Sequence, residues 1–141
     1  MNSKKSRVAL GAALLTVTFF AVSVASAQGL SDRARATIPF GFYVGEQLLP
    51  AGDYEMQTVA NGVAKLSNTE THTSIFFNTV RLRNPIRDSS SGKLIFNRYG
   101  DDYFLSQMWW TGQQDGLQPL PSKRERELTR LNTPVRISVA R

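Results

Sequence analysis

Alternation of apolar and polar side chains decides the fold class of this chain. Ala36, Ile38, Phe40, Phe42 and Val44 fall on one side of an extended run, with Thr37, Pro39, Gly41 and Tyr43 on the other. A period of two is the mark of a half-buried strand, and it recurs along the chain. Pro39 has no N–H to give a ladder, so this strand is expected at an edge, or broken by a bulge at that point. Tyr54, Met56 and Thr58 alternate with Asp53, Glu55 and Gln57 in the next strand. Between the two, Pro50 presets a turn, and Gly52 fits the left-handed residue that follows a type I turn. Asn61-Gly62 marks a tight hairpin, the pair that a type I′ turn favours because both positions need positive φ. A further strand is expected from His72 to about Leu82, and two more flank Gly100-Asp101-Asp102.

Two stretches break the alternation by composition. Residues 84–92, NPIRDSSSG, read as a loop, and residues 111–121, TGQQDGLQPLP, as irregular chain. Ser122 then opens the one convincing helix, where Ser122 and Glu125 form an S-x-x-E capping box. Leu128 and Leu131 give it a narrow apolar stripe and Pro134 stops it. Val135, Ile137 and Val139 alternate once more in a final strand. The fold class is therefore all-β. About seven strands in an antiparallel meander close as a small barrel or fold as a sandwich, with one short C-terminal helix before the last strand.

The first 27 residues have a different character. Lys4, Lys5 and Arg7 precede an apolar run from Val8 to Val22, and Ala25-Ser26-Ala27 is a small-x-small cleavage site. This is the pattern of a secretory signal peptide cut between Ala27 and Gln28, leaving 28–141 as a single β-rich domain. An uncleaved membrane anchor is the competing reading, because no charge occurs between Val8 and Ser31. The expected location is the periplasm or the cell exterior. The chain has no cysteine. A disulfide framework, a thiol nucleophile, thiolate metal ligands and lipid attachment at a cysteine are thereby excluded, and the domain must hold together by packing. Formal net charge is +6, but Lys4, Lys5 and Arg7 belong to the leader. The remaining basicity sits in residues 122–141, which carry six basic and two acidic side chains. That segment suits weak contact with an anionic surface; an exported chain rarely meets nucleic acid, so none is expected as a partner.

Chemistry-bearing residues concentrate in one stretch, LIFNRYGDDYFLSQMWW at 94–110. A histidine metal site needs several ligands, and His72 stands alone, read as an exposed strand residue; no metal or cofactor is expected. No hydrolase, P-loop or dinucleotide motif is present. Asp101 and Asp102 are a tempting carboxylate pair, but adjacent residues at a hairpin tip usually diverge, and Asp is a favoured turn residue. Arg98 shares a face with Leu94 and Phe96, so it either pairs with a turn aspartate or contacts a ligand at the rim. Tyr99, Tyr103, Phe104, Trp109 and Trp110 either pack the hairpin or stack on a sugar or apolar ligand. Leu94 and Phe96 face one way and Ile95 and Tyr99 the other, as in a strand covered on both sides. Trp109 and Trp110 are neighbours and must point to opposite faces, so one of them is the leading contact candidate. The candidate ligand or partner contacts are Arg98, Tyr99, Tyr103, Trp109 and Trp110, with no catalytic residue among them.

IPFGFYVGEQLLPAGDYEM and LIFNRYGDDYFLSQMWW together resemble a family of small uncharacterised exported bacterial proteins of acidobacterial type. Its members share I-P-F-x-F, L-P-A-G-x-Y, R-Y-G-D-x-Y-F-L and a late S-x-x-E-R, matched here by Ser122, Glu125 and Arg126. The likeness spans most of residues 28–141. It implies export and a β-rich fold, with His expected where Asn97 stands, and it implies no activity. Three functions follow in order. The first is a non-catalytic exported domain that acts by binding or structural association, with an envelope protein, a polysaccharide or an apolar small molecule as partner. The second is a small barrel that carries an apolar ligand. The third is a carbohydrate-active enzyme.

Overall fold

The computed structural model describes residues 33–83 and 92–140. The expected leader, the expected cleavage site at Ala27-Gln28 and residues 84–91 of the Ser-containing loop lie outside the described residues. Ten strands and one helix follow in the order β1 (Arg33–Ile38), β2 (Phe42–Val44), β3 (Gln47–Leu49), β4 (Gly52–Ala60), β5 (Val63–Asn68), β6 (Ser74–Arg83), β7 (Lys93–Tyr99), β8 (Asp102–Trp109), β9 (Asp115–Pro119), α1 (Lys123–Leu131) and β10 (Val135–Ala140). Through ladder pairs the strands run β10-β7-β8-β9-β6-β5-β4-β1, each antiparallel to the next. The β2-β3 hairpin hangs from β8 through a parallel bridge at Tyr43 and Phe104, so the sheet is mixed rather than purely antiparallel. β1 and β10 approach each other but share no ladder. The sheet is accordingly not closed into a barrel, and the fold is all-β and sandwich-like.

The alternation at the start of the chain does what it promised, with one interruption. β1 is the terminal strand of the path, and the ladder stops at Ile38, just before Pro39. The apolar phase is kept across the break, since Ala36, Ile38, Phe42 and Val44 are all buried. They join Tyr54, Met56, Leu66, Leu94, Phe96, Leu105, Met108 and Trp110 in one core. Phe42 centres an aromatic cluster, with Tyr54 at 5.2 Å and Phe96 at 5.4 Å, both edge to face. Complete burial of each such side chain stabilises the fold by about 1.5–3 kcal/mol relative to exposure. The Tyr54 hydroxyl donates to the Pro50 carbonyl at 2.6 Å, which removes the cost of burying that polar tip.

Several local expectations change. The Asn61-Gly62 hairpin forms, but only Gly62 takes positive φ, at 77°. A type I′ turn would need both residues there; instead the β4-β5 register slips between Thr58 and Ala60, and this bulge re-aims the strand ends. Gly52 has φ 158°, not the left-handed value expected after a type I turn. His72 precedes β6 rather than lying in it, as the one non-glycine residue of positive φ among those described, at 57°. The amide oxygen of Asn68 accepts from the Glu70 and Thr71 N–H groups at 2.9 Å each and builds that loop. Residues 115–119, read as irregular, are the strand β9. Gly116 is what permits it, since a Cβ there would stand 2.7 Å from the Trp109 ring.

The helix covers the face of β7 and β8 that points away from the core. Asn97 and Phe104 are opposite one another on that face, as are Tyr99 and Asp102. The Tyr99 hydroxyl lies 2.7 Å from the Thr129 hydroxyl, and the Asn97 amide donates to Glu125 at 3.2 Å. The expected covering of this hairpin on both faces is thus met by α1. Its apolar stripe is not the means: Leu128 is half-buried, Leu131 is 79% exposed, and Glu125 is the buried helical residue. No helix among the described residues is long and apolar enough to cross a membrane.

Candidate functional site

The β7-β8 turn creates the first candidate site. A two-residue loop, Gly100-Asp101, joins Tyr99 to Asp102, and Gly100 takes φ 62° as the first position of a type II′ turn requires. The chain between β1 and β2 crosses beneath this tip because Pro39 ends the ladder there. Phe40 is thereby laid flat on Tyr103, with ring centroids 3.9 Å apart and planes 16° from parallel, while its edge meets Phe96 at 5.0 Å. Phe40, Tyr43, Leu48, Asp101, Asp102 and Tyr103 line an open cleft of about 340 Å³. Leu48 is 62% exposed at its margin, and Asp101 is exposed.

Asp102 is committed elsewhere. Its carboxylate accepts from Arg124 of α1 at 2.6 Å, and the Arg124 guanidinium also lies 5.1 Å from the Tyr43 ring centre. The hydrogen bond that Arg124 donates to Asp102 and the charge of that carboxylate both push the Arg124 pKa further up. This bridge corrects the expected pairing of Arg98 with a turn aspartate, because Asp102 takes its partner from the helix. Arg98 is half-buried between Tyr103 and Val135 in register, and its Nε is buried with no hydrogen-bond partner among the described residues. Those two neighbours offer no carboxylate; Arg98 follows the alternation of buried Leu94 and Phe96 and is not among the residues that line the cleft.

The tryptophans separate as their adjacency requires. Trp110 is buried in the core, 6% exposed. Trp109 lies half-buried on the opposite face across Gly116, and its indole N–H donates to Gln107 at 3.0 Å. Of the five candidate contacts, Tyr103 alone lines the tip cleft. Tyr99 belongs instead to a second cleft, under α1, where its neighbours are Asn97 and Glu125.

That second cleft is built by the helix cap. Ser122 accepts from the Glu125 N–H at 3.0 Å, and Glu46 accepts from the Lys123 N–H at 2.8 Å. The capping box predicts that Glu125 returns a bond to the cap; its side chain turns down to Asn97 instead. Burial raises the Glu125 pKa above its ordinary value, and the hydrogen bond from Asn97 opposes that rise. Sequence reasoning missed Phe40, Leu48 and Glu125 as site residues. The one available signal was Glu125 itself, an acidic residue whose assigned cap role hid its position over the sheet.

No cluster of three or more potential metal-ligating side chains occurs among the described residues. Comparison of the chain with protein-family models, with curated proteins and with solved structures finds no match.

Proposed function

We propose that this chain is a non-catalytic exported β-domain that acts by binding, in the cell envelope or outside the cell, and that it holds a neutral polysaccharide in the cleft at the β7-β8 tip. The observation that carries this reading is the stacked Phe40-Tyr103 pair beside Leu48 and the exposed Asp101. Flat aromatic surface takes the C–H face of a sugar ring, and a free carboxylate accepts from its hydroxyls. The bridge from Asp102 to Arg124 supports binding over acid–base chemistry, since it commits one of the two carboxylates lining the cleft to a guanidinium. The filled interior, in which Phe42, Leu94 and Phe96 have no exposed surface, weighs against carriage of an apolar ligand inside the sheet. Export rests on the leader pattern and on the resemblance to small exported proteins.

Affinity electrophoresis through gels containing dextran, starch or hydroxyethyl cellulose tests the reading. The wild-type protein is expected to be retarded by at least one of them, and Tyr103→Ala to migrate freely while keeping its melting temperature within a few degrees. Retardation of both alike, or of neither in any gel, would refute the assignment.

A further inference from the structure

We propose a second binding site, in the cleft between α1 and the outer face of β7 and β10, for an acidic saccharide whose hydroxyls point inward and whose carboxylate stays at the mouth. The cleft has a volume of about 410 Å³, within the range of small-molecule sites. It is separate from the tip cleft and does not depend on it.

Its floor consists of acceptors. The amide oxygen of Asn97 is buried and has no hydrogen-bond partner among the described residues. Beside it, the Glu125 carboxylate accepts from the Asn97 amide nitrogen at 3.2 Å. Buried acceptors are normally satisfied, and a lone one is the feature that asks for a donor. The Tyr99 and Thr129 hydroxyls do not supply it, because they pair with each other at 2.7 Å, and Thr129 also donates to the Glu125 carbonyl. A ligand that fills this floor must therefore bring hydroxyl or N–H groups.

The walls are of the opposite kind. Arg136 of β10 stands opposite Asn97 in register, and Arg126 and Arg130 lie one turn apart on α1. All three line the cleft, and all three are exposed. Arg126 donates to the Pro121 carbonyl at 3.0 Å, and no carboxylate pairs with Arg130 or Arg136 among the described residues. Nor do these cations neutralise Glu125, whose pKa is set by burial and Asn97. Guanidinium groups match a carboxylate in a two-point fork. Acceptors below and guanidiniums above select a ligand with donors at one end and an anion at the other. A uronic acid unit has that layout, whereas a bare inorganic anion would meet the acceptor floor unsatisfied.

Isothermal titration with trigalacturonate, maltotriose and inorganic phosphate tests this, using the wild-type protein and Tyr103→Ala, in which the tip cleft is disabled. Trigalacturonate should bind both proteins alike and, in Tyr103→Ala, about 10-fold or more tighter than either control ligand. Arg130→Gln combined with Arg136→Gln alters only exposed side chains and should reduce that affinity about 10-fold with the melting temperature retained. Glu125→Gln should also weaken it. Equal affinity of Tyr103→Ala for maltotriose or phosphate, wild-type binding by the double arginine variant, or no binding of trigalacturonate at millimolar concentration would each overturn the proposal. Loss of trigalacturonate binding in Tyr103→Ala would overturn it too, by moving the ligand to the tip.

Discussion

Trp109 and Trp110 show how far a single residue's role can be read before the fold is known. Their opposition follows from strand geometry alone. Which of them is inside depends on Ser106, the extra residue where the β7-β8 register slips: Ile95 pairs Gln107, but Phe96 pairs Leu105. Without that bulge, Leu105, Gln107 and Trp109 would share the core face. With it, Met108 and Trp110 do, and the sequence carries no mark of the shift. Trp110→Ala should cost about 3–5 kcal/mol in urea unfolding, as buried Trp truncations do. Trp109→Ala should cost about 1 kcal/mol, nearer to an ordinary surface change. Equal losses would contradict the placement. Gly116→Ala should cost about 1–3 kcal/mol, because its Cβ would meet the Trp109 ring at 2.7 Å and the Met108 carbonyl at 2.9 Å. A double-mutant cycle with Trp109→Ala should recover part of that loss, the carbonyl contact keeping the rest.

At the scale of elements, α1 was the most legible piece, and its contacts the least. Ser122 and Pro134 bracket it as their chemistry requires, and Ser122→Ala is expected to cost about 0.5–2 kcal/mol by chemical denaturation. The hydrophobic pattern, in contrast, pointed to Leu131, which is exposed, while the buried helical residue is charged. A polar contact across 28 positions, Asn97 to Glu125, has no periodic signature. It does have a pH signature. Because burial raises the Glu125 pKa, the folded chain keeps this proton at pH values where the unfolded chain has released it. The resulting stabilisation is fully present below the ordinary carboxylate value of 4.5 and is lost as pH rises through the folded value. Relative to Glu125→Gln, wild-type stability should therefore decline as pH rises above the ordinary carboxylate value of 4.5 in paired urea titrations. A difference that stays flat, or moves the other way, would show that the Glu125 pKa is not raised in the fold.

For the whole molecule, local alternation identified the all-β class and the order of most elements, but closure is not a local property. The eight-strand antiparallel path brings β1 and β10 near each other without a ladder. That outcome depends on twist and bulges summed around the sheet, which no single stretch encodes. The same holds for the parallel bridge from β2 to β8 and for β9, whose Gly and Pro content disguises a strand pairing on both edges. The tip cleft is such a product, since Phe40 and Tyr103 are 63 positions apart in the chain and meet only in the fold. Export is tested separately: mass spectrometry of the protein from its native host should find an N-terminus at or beside Gln28, and an intact Met1 in membranes would mean an anchor. Binding at the tip is tested most directly by a nitrogen-15 NMR titration with cellohexaose. The account predicts chemical-shift changes concentrated at residues 40–48 and 101–103, lost in Tyr103→Ala. Saturable changes centred elsewhere, or none at millimolar ligand, would contradict it.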